Sequence, residues 1–191
     1  MILDAKVNNF VVLFPMNFWD ESLVKRYEDY YRYSQLPYEN IGDFVFSTVQ
    51  SISFPDLKIK TTQQTRKYGK KADYKGSDPV EDTLTRQFTI SFKLGEGMLN
   101  YRFMHENIIH YLDHNNETQY FDDIVLGVLD NEGYLMETTK FKQVIITGIS
   151  SVQYSYTGID GGFNKFDVNF NFNDWVVTTY YDKMINLVQG Y

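Results

Sequence analysis

The sequence predicts an α+β fold: mainly an antiparallel β-sandwich or barrel, with one packed α-helix and a long basic loop. Three observations carry that expectation. Gln87–Leu94 and Phe166–Phe172 alternate apolar and polar residues at a period of two, the pattern of strands with one buried face. Met98–His114 places Tyr101, Met104, Ile108, Tyr111 and Leu112 at helical spacing, with Phe103 widening the stripe. Finally, 16 Tyr and 15 Phe among 191 residues favour strands and large contact surfaces.

The elements follow in chain order. Val7–Phe14 is a short apolar strand ended by Pro15. The stretch DESLVKRYEDYYRYSQLP reads as a helix with Asp20 as N-cap and Leu36-Pro37 as its stop. Its stripe of Leu23, Tyr27 and Tyr30 or Tyr31 predicts packing on a half-exposed surface. Phe44–Phe54 reads as the next strand, broken by Pro55 and Asp56, and LKIKTT continues as an extended arm. The span from about Thr61 to Thr83 is longer than an ordinary connection, and loops of that length are functional or disordered. After strand TLTRQFTISFKL and the long helix, DDIVLGVLDNEGYLMETT forms a hairpin turning at Asn131-Glu132-Gly133. FKQVIITGISSVQYSY gives two short strands hinged near Gly148, and TGIDGGFN a tight turn. NKFDVNFNFNDW pairs back as a hairpin, while VVTTYYDKMINLVQGY suits either strand or helix.

Charge is unevenly spread. Asp56–Lys75 carries seven Lys or Arg against two Asp, net +5, which leaves −12 on the rest of a chain whose formal charge is −7. The acidic body argues against a general nucleic-acid binder. The basic span, with Tyr68 and Tyr74 for stacking, fits a nucleic-acid contact, a contact to an acidic neighbouring copy, or a solvated loop. With no cysteine, disulfides, thiolate zinc sites and cysteine nucleophiles are excluded. No apolar run spans a membrane, and no charged leader with a cleavage site opens the chain, so synthesis is expected inside the cell.

Chemistry is not nominated. His105-Glu106-Asn107-Ile108-Ile109-His110 is one residue too long for the zinc helix motif HExxH. A five-residue step turns the two imidazoles about 140° apart at ~100° per residue. His114 lies four residues past His110, with only Asp113 or Glu117 nearby; surface or subunit contacts are the expectation, with no metal and no cofactor. There is no phosphate loop and no G-x-S-x-G, and Asp122, Asp123, Asp130 and Asp160 stand in turn-like places. A non-enzymatic protein is expected.

Four stretches together resemble the tail tube proteins of contractile-tailed bacteriophages and the inner tubes of related contractile injection machines. They are SISFPDLKI before a long loop, TLTRQFTISFKL running into MLNYRFMHENIIHYLD, the kinked FKQVIITGISSVQYSY, and the closing FDVNFNFNDW, together spanning about Phe44 to Trp175. The early Tyr-rich helix and the tail beyond Trp175 depart from the family pattern and point to a tube terminator or a baseplate-proximal initiator as the alternative to the repeating subunit.

The resemblance implies residues 1–43 as an N-terminal extension, 44–175 as a tube-type β domain and 176–191 as a C-terminal tail. It implies homohexameric rings stacked into a tube, a virion location with assembly in the host cytoplasm, and sheath and baseplate proteins as partners. DNA would pass non-specifically through the lumen, with no membrane involved. The inter-ring contact would fall on the 58–83 loop, through Lys58, Lys60, Arg66, Lys67, Lys70, Lys71 and Lys75. The long helix would pack outside the sheet. The wet face of the Phe-rich strand has no Lys or Arg between Asp167 and Asn173, so Asp167, Asn169, Asn171 and Asn173 are expected to face the lumen without gripping phosphates. A carbohydrate- or nucleic-acid-binding β domain is the rival from another class.

Overall fold

Alternating Phe-rich strands can dry only one face, so something must cover that face; here a second sheet and a helix layer share the work. The computed structural model describes residues 9–33, 38, 40–56, 61–65, 67–75, 85–113, 120–152 and 164–180. Within them the order is β1 (Phe10–Leu13), α1 (Glu21–Tyr33), α2 (Ile41–Ser47), β2 (Val49–Ile52), β3 (Thr61–Thr65), β4 (Lys71–Lys75), β5 (Gln87–Lys93), α3 (Leu99–Asp113), β6 (Ile124–Leu129), β7 (Leu135–Lys142), β8 (Ile145–Ile149), β9 (Lys165–Asn171) and β10 (Asp174–Thr179). Sheet I has the order β1-β6-β7-β10 and sheet II the order β2-β5-β9-β8, each antiparallel throughout.

The core sits on the inner face of sheet II. Phe88, Ile90 and Phe92 lie opposite Phe170, Val168 and Phe166, and all six are buried. Full burial of one such side chain contributes roughly 1.5–3 kcal/mol, which is why this pair of strands anchors the fold. Sheet I covers one end: Phe141 of β7 stacks on Phe88 at 4.3 Å, and Phe88 on Phe170 at 5.0 Å. The helical layer covers the other end, where Tyr101 of α3 meets Phe166 edge-on at 5.3 Å. Two buried amides fasten that layer. Asn100 donates to the Lys93 carbonyl at 2.7 Å and accepts from the Gly95 N–H at 3.0 Å. Asn107 donates to the Phe18 carbonyl at 2.8 Å and accepts from the Asp20 N–H at 3.1 Å.

Several expectations need correction. Among the described residues the sheets do not close into a barrel, and three helices pack rather than one. Residues 44–47, expected as the start of a strand, belong to α2. Asn40 caps it by accepting from the Asp43 N–H at 2.9 Å, and Ile41, Phe44 and Val45 bury one helical face. The strand is confined to Val49–Ile52.

The α1 stripe is deeper than expected. Leu23 and Tyr27 are buried, Tyr27 lying edge-on to Phe103 at 5.2 Å, while Tyr30 is exposed. The side chain of Tyr31 lies outside the described residues. Residues expected as an N-terminal extension thus supply β1 to sheet I and α1 to the common core.

The hinge expected at Gly148 falls at Gln143, whose φ of 52° turns the chain from β7 into β8; Gly148 instead sits at a register shift within the β8–β9 pairing. The long basic span holds a hairpin, β3–β4, paired from Thr61↔Lys75 to Thr65↔Lys71. Tyr68 and Gly69 at its tip both take the left-handed backbone (φ 70° and 71°) that tight reversals use. The hairpin at Asn131-Glu132-Gly133 is found as expected, between β6 and β7. The chain after Asn173 begins as strand β10; of the second strand expected after Gly148, residues 150–152 form no strand and 153–156 lie outside the described residues, as do residues 157–163 of the turn and 181–191.

Candidate functional site

The outward face of sheet II is built by the second half of each alternation. Gln87, Thr89 and Ser91 of β5 stand in register with Asn171, Asn169 and Asp167 of β9. The Thr89 hydroxyl donates to Asn169 Oδ1 at 2.8 Å, and the Ser91 hydroxyl to Asp167 Oδ1 at 2.5 Å. Ser150 accepts from the Asp167 N–H at 2.9 Å. Lys93 and Lys165 face each other at one end. The result is a surface of short hydroxyls and amides bonded across strands, with one carboxylate along its middle. The Thr89–Asn169 and Ser91–Asp167 pairs satisfy each other, whereas Asn171 Oδ1 is buried without a partner among the described residues.

Three of the four residues expected on this face are on it: Asp167, Asn169 and Asn171. Asn173 is not, because the alternation ends at Asn171 and the chain then crosses to sheet I. There Asn173 Nδ2 donates to Gln143 Oε1 at 3.2 Å, and its N–H to the Lys142 carbonyl at 3.2 Å. The two short crossings between the sheets, β7 to β8 and β9 to β10, are thereby clasped together.

Among the described residues the edge strands are β1 and β10 in sheet I and β2 and β8 in sheet II. A groove of about 670 Å³ runs between β1 and the α2–β2 segment, lined by all four residues of β1 together with Phe46 and Val49. Edges of this kind invite another strand.

The outer face of sheet I was not anticipated from the sequence. Val11, Leu13, Leu135 and Val176 are exposed on it. Gly127 lets that face close up, since a Cβ there would meet Leu135 Cδ1 at 2.8 Å and Val11 Cγ1 at 3.0 Å. The signal was present in VVLF and DWVV, edge segments apolar on both faces.

The β3–β4 hairpin forms a sheet of its own. All of β3 is exposed, Tyr68 at the tip is 98% exposed, and Lys70 and Lys71 beside it are exposed. Of the other basic residues expected to act here, Lys58, Lys60 and Arg66 lie outside the described residues, as do the side chains of Lys67 and Lys75.

The helical surface offers little chemistry. His105 is exposed and His110 half-buried, 3.8 Å from Asp20 across a pocket of about 420 Å³; His114 lies outside the described residues. Asp20 caps α1, accepting from the Leu23 N–H at 3.1 Å, the Ser22 N–H at 2.9 Å and the Ser22 hydroxyl. The Ser22 hydroxyl above all, then the two backbone N–H groups and His110, hold the Asp20 carboxyl below its usual range against the opposing effect of burial. Among the described residues no group of three or more metal-ligating side chains comes together, and no helix is long and apolar enough to cross a membrane.

With this geometry in view, the solved structures supply a match. The tube-terminating cap of the anti-feeding prophage is similar to this chain at a TM-score of 0.50 and 12% identity, over 94% of this chain and 93% of the cap. The fold is tail-tube-like. The sheath/tube terminator of an extracellular contractile injection system (TM-score 0.49, 13% identity, 93% and 99% covered) and its sheath-tube complex (0.48, 13%, 92% and 92%) fall just below that level and add no weight. No protein-family model matches the chain, and no curated protein matches its sequence.

Proposed function

We propose that the chain is a non-enzymatic ring subunit of the inner tube of a contractile tail or injection machine, with the polar face of sheet II turned to the channel. The observation that carries this reading is the parity of the sheet. Four antiparallel strands put oppositely directed strands at the two edges. Copies related by rotation then bring β8 of one against β2 of the next, still antiparallel, and the ladder continues around a ring without a break. Closure removes the open edges and leaves one wall of Phe-rich core and one of hydroxyls and amides.

On this reading Asp167, Asn169 and Asn171 line a stretch of lumen with no Lys or Arg between them, Lys93 and Lys165 standing at one end of it, so DNA or other cargo meets little that grips phosphate along that stretch. The exposed apolar face of sheet I then looks outward, toward sheath or baseplate proteins. The rings are hexameric and stack through the basic hairpin, in a particle of the phage-tail kind. Imaging the purified chain by negative stain tests this: rings with a central hole are expected, and uniformly monomeric particles at high concentration would refute it.

A second reading, a ring at the end of the tube, draws on the likeness to a tube-terminating cap over nearly the whole of both chains. Long tubes from the isolated chain favour the repeating subunit; single rings that stop growth of a tube favour the end ring.

A further inference from the structure

The fold sets the root of the basic hairpin and an acidic turn at opposite ends of β6. The hairpin leaves the body after Phe54, whose ring lies 6.3 Å from Phe141, and the chain re-enters where the Thr85 N–H bonds the Asp56 carbonyl. Phe141 pairs with Ile124, the first residue of β6. The turn Asp130–Tyr134 follows the other end of β6, so it stands a strand length away, about 17 Å at ~3.3 Å per residue. That far end is both apolar and acidic. Tyr134 is 67% exposed and Leu135 45% exposed, Glu132 is exposed beside them, and no Lys or Arg occurs between Asp122 and Thr139. The hairpin tip is its complement: a fully exposed aromatic ring, Tyr68, next to Lys70 and Lys71.

We infer that the β6–β7 turn, through Tyr134, Leu135 and Glu132, is the surface that receives the β3–β4 hairpin tip of a second copy of this chain. A donor at one end and an acceptor at the other make a heterologous, head-to-tail contact, which propagates along an axis rather than closing a dimer. Aromatic tip on aromatic turn supplies the apolar contact, and the flanking charges set the register and speed encounter. The inference rests on the ring reading above and adds the contact by which one ring meets the next.

Charge reversal in both partners tests it, using the full chain and counting rings per stack by negative stain and sedimentation. Lys70→Glu with Lys71→Glu is expected to leave single rings intact and cut stacks of two or more rings at least tenfold; Asn131→Lys with Glu132→Lys is expected to do the same. Mixing the two variants, or combining all four changes in one chain, is expected to restore stacking. All four positions are exposed, so an unchanged thermal midpoint in each variant excludes misfolding as the cause. Stacking that survives either reversal, or that the combination fails to restore, overturns the inference while leaving rings, and the ring reading, in place. A chain that forms no rings overturns both.

Discussion

The two sheets of this molecule are built alike and finished differently. Among the described residues each has four antiparallel strands, two edge strands and an inner face in the same core. Outside, sheet II shows hydroxyls, amides and a carboxylate, with Thr89 bonded to Asn169 and Ser91 to Asp167 across strands, whereas sheet I shows Val11, Leu13, Leu135 and Val176 beside Lys140. The inner faces must satisfy one packing problem, so they converge on Phe, Ile and Val. The outer faces are free of it, so their chemistry is the part that records what each surface meets.

Breaking the shared core should erase the distinction altogether. Phe88 touches both sheets through its stacks on Phe141 and Phe170. Phe88→Ala is expected to cost about 3–5 kcal/mol in urea unfolding, and a loss under ~1 kcal/mol would mean the sheets are not one cooperative unit. Asn100 ties sheet II to α3 through Lys93 and Gly95 and is completely buried. Asn100→Ala should cost about 2 kcal/mol, because the backbone groups it serves lose their partner.

The helical layer should separate from the sheets by pH. Asp20→Ala is expected to cost roughly 1 kcal/mol at neutral pH as the α1 cap is lost. The folded carboxyl of Asp20 is depressed below 3.8, so its contribution is present above that value and lost as pH falls through the lower folded pKa. Below that range wild type and variant should converge in thermal midpoint; a gap that persists there would assign the loss to packing instead. The smallest stability effect, within about 0.5 kcal/mol, is expected for Asn169→Lys on the exposed face of sheet II. Its assembled rings should nevertheless retain single-stranded DNA in a salt-sensitive way that wild-type rings do not. Equal retention by both would place that face away from the channel.

The sequence spoke clearly where burial imposes a period. Phe88–Phe92 and Phe166–Phe170 alternate because one face is dry, and the α3 stripe repeats because one face packs. It spoke poorly where no apolar residue marks a face. Thr61–Thr65 pairs as a strand, but its five polar side chains are all exposed, so no period could announce it. It misled at residues 44–47, where Phe, Val and Phe suit strand and helix equally; the deciding signal was Asn40 three residues before Asp43, a local cap rather than a pattern. The turn at Gln143 was illegible because a non-glycine in the left-handed region is chosen by its surroundings, not by its type. The polar face was read correctly as far as Asn171. Asn173 shares the amide chemistry but not the strand.

The clasp of Asn173 on Gln143 has a mechanical meaning. It ties together the two of the four sheet-to-sheet passages that are only a couple of residues long, β7 to β8 and β9 to β10. Short crossings carry tension without slack. A shear load on β10 therefore reaches β9 and β8 before either sheet has deformed, and the two walls respond as one stiff plate. Sliding one over the other requires breaking this clasp and drawing Phe172 out of its pocket against Phe141 and Phe88.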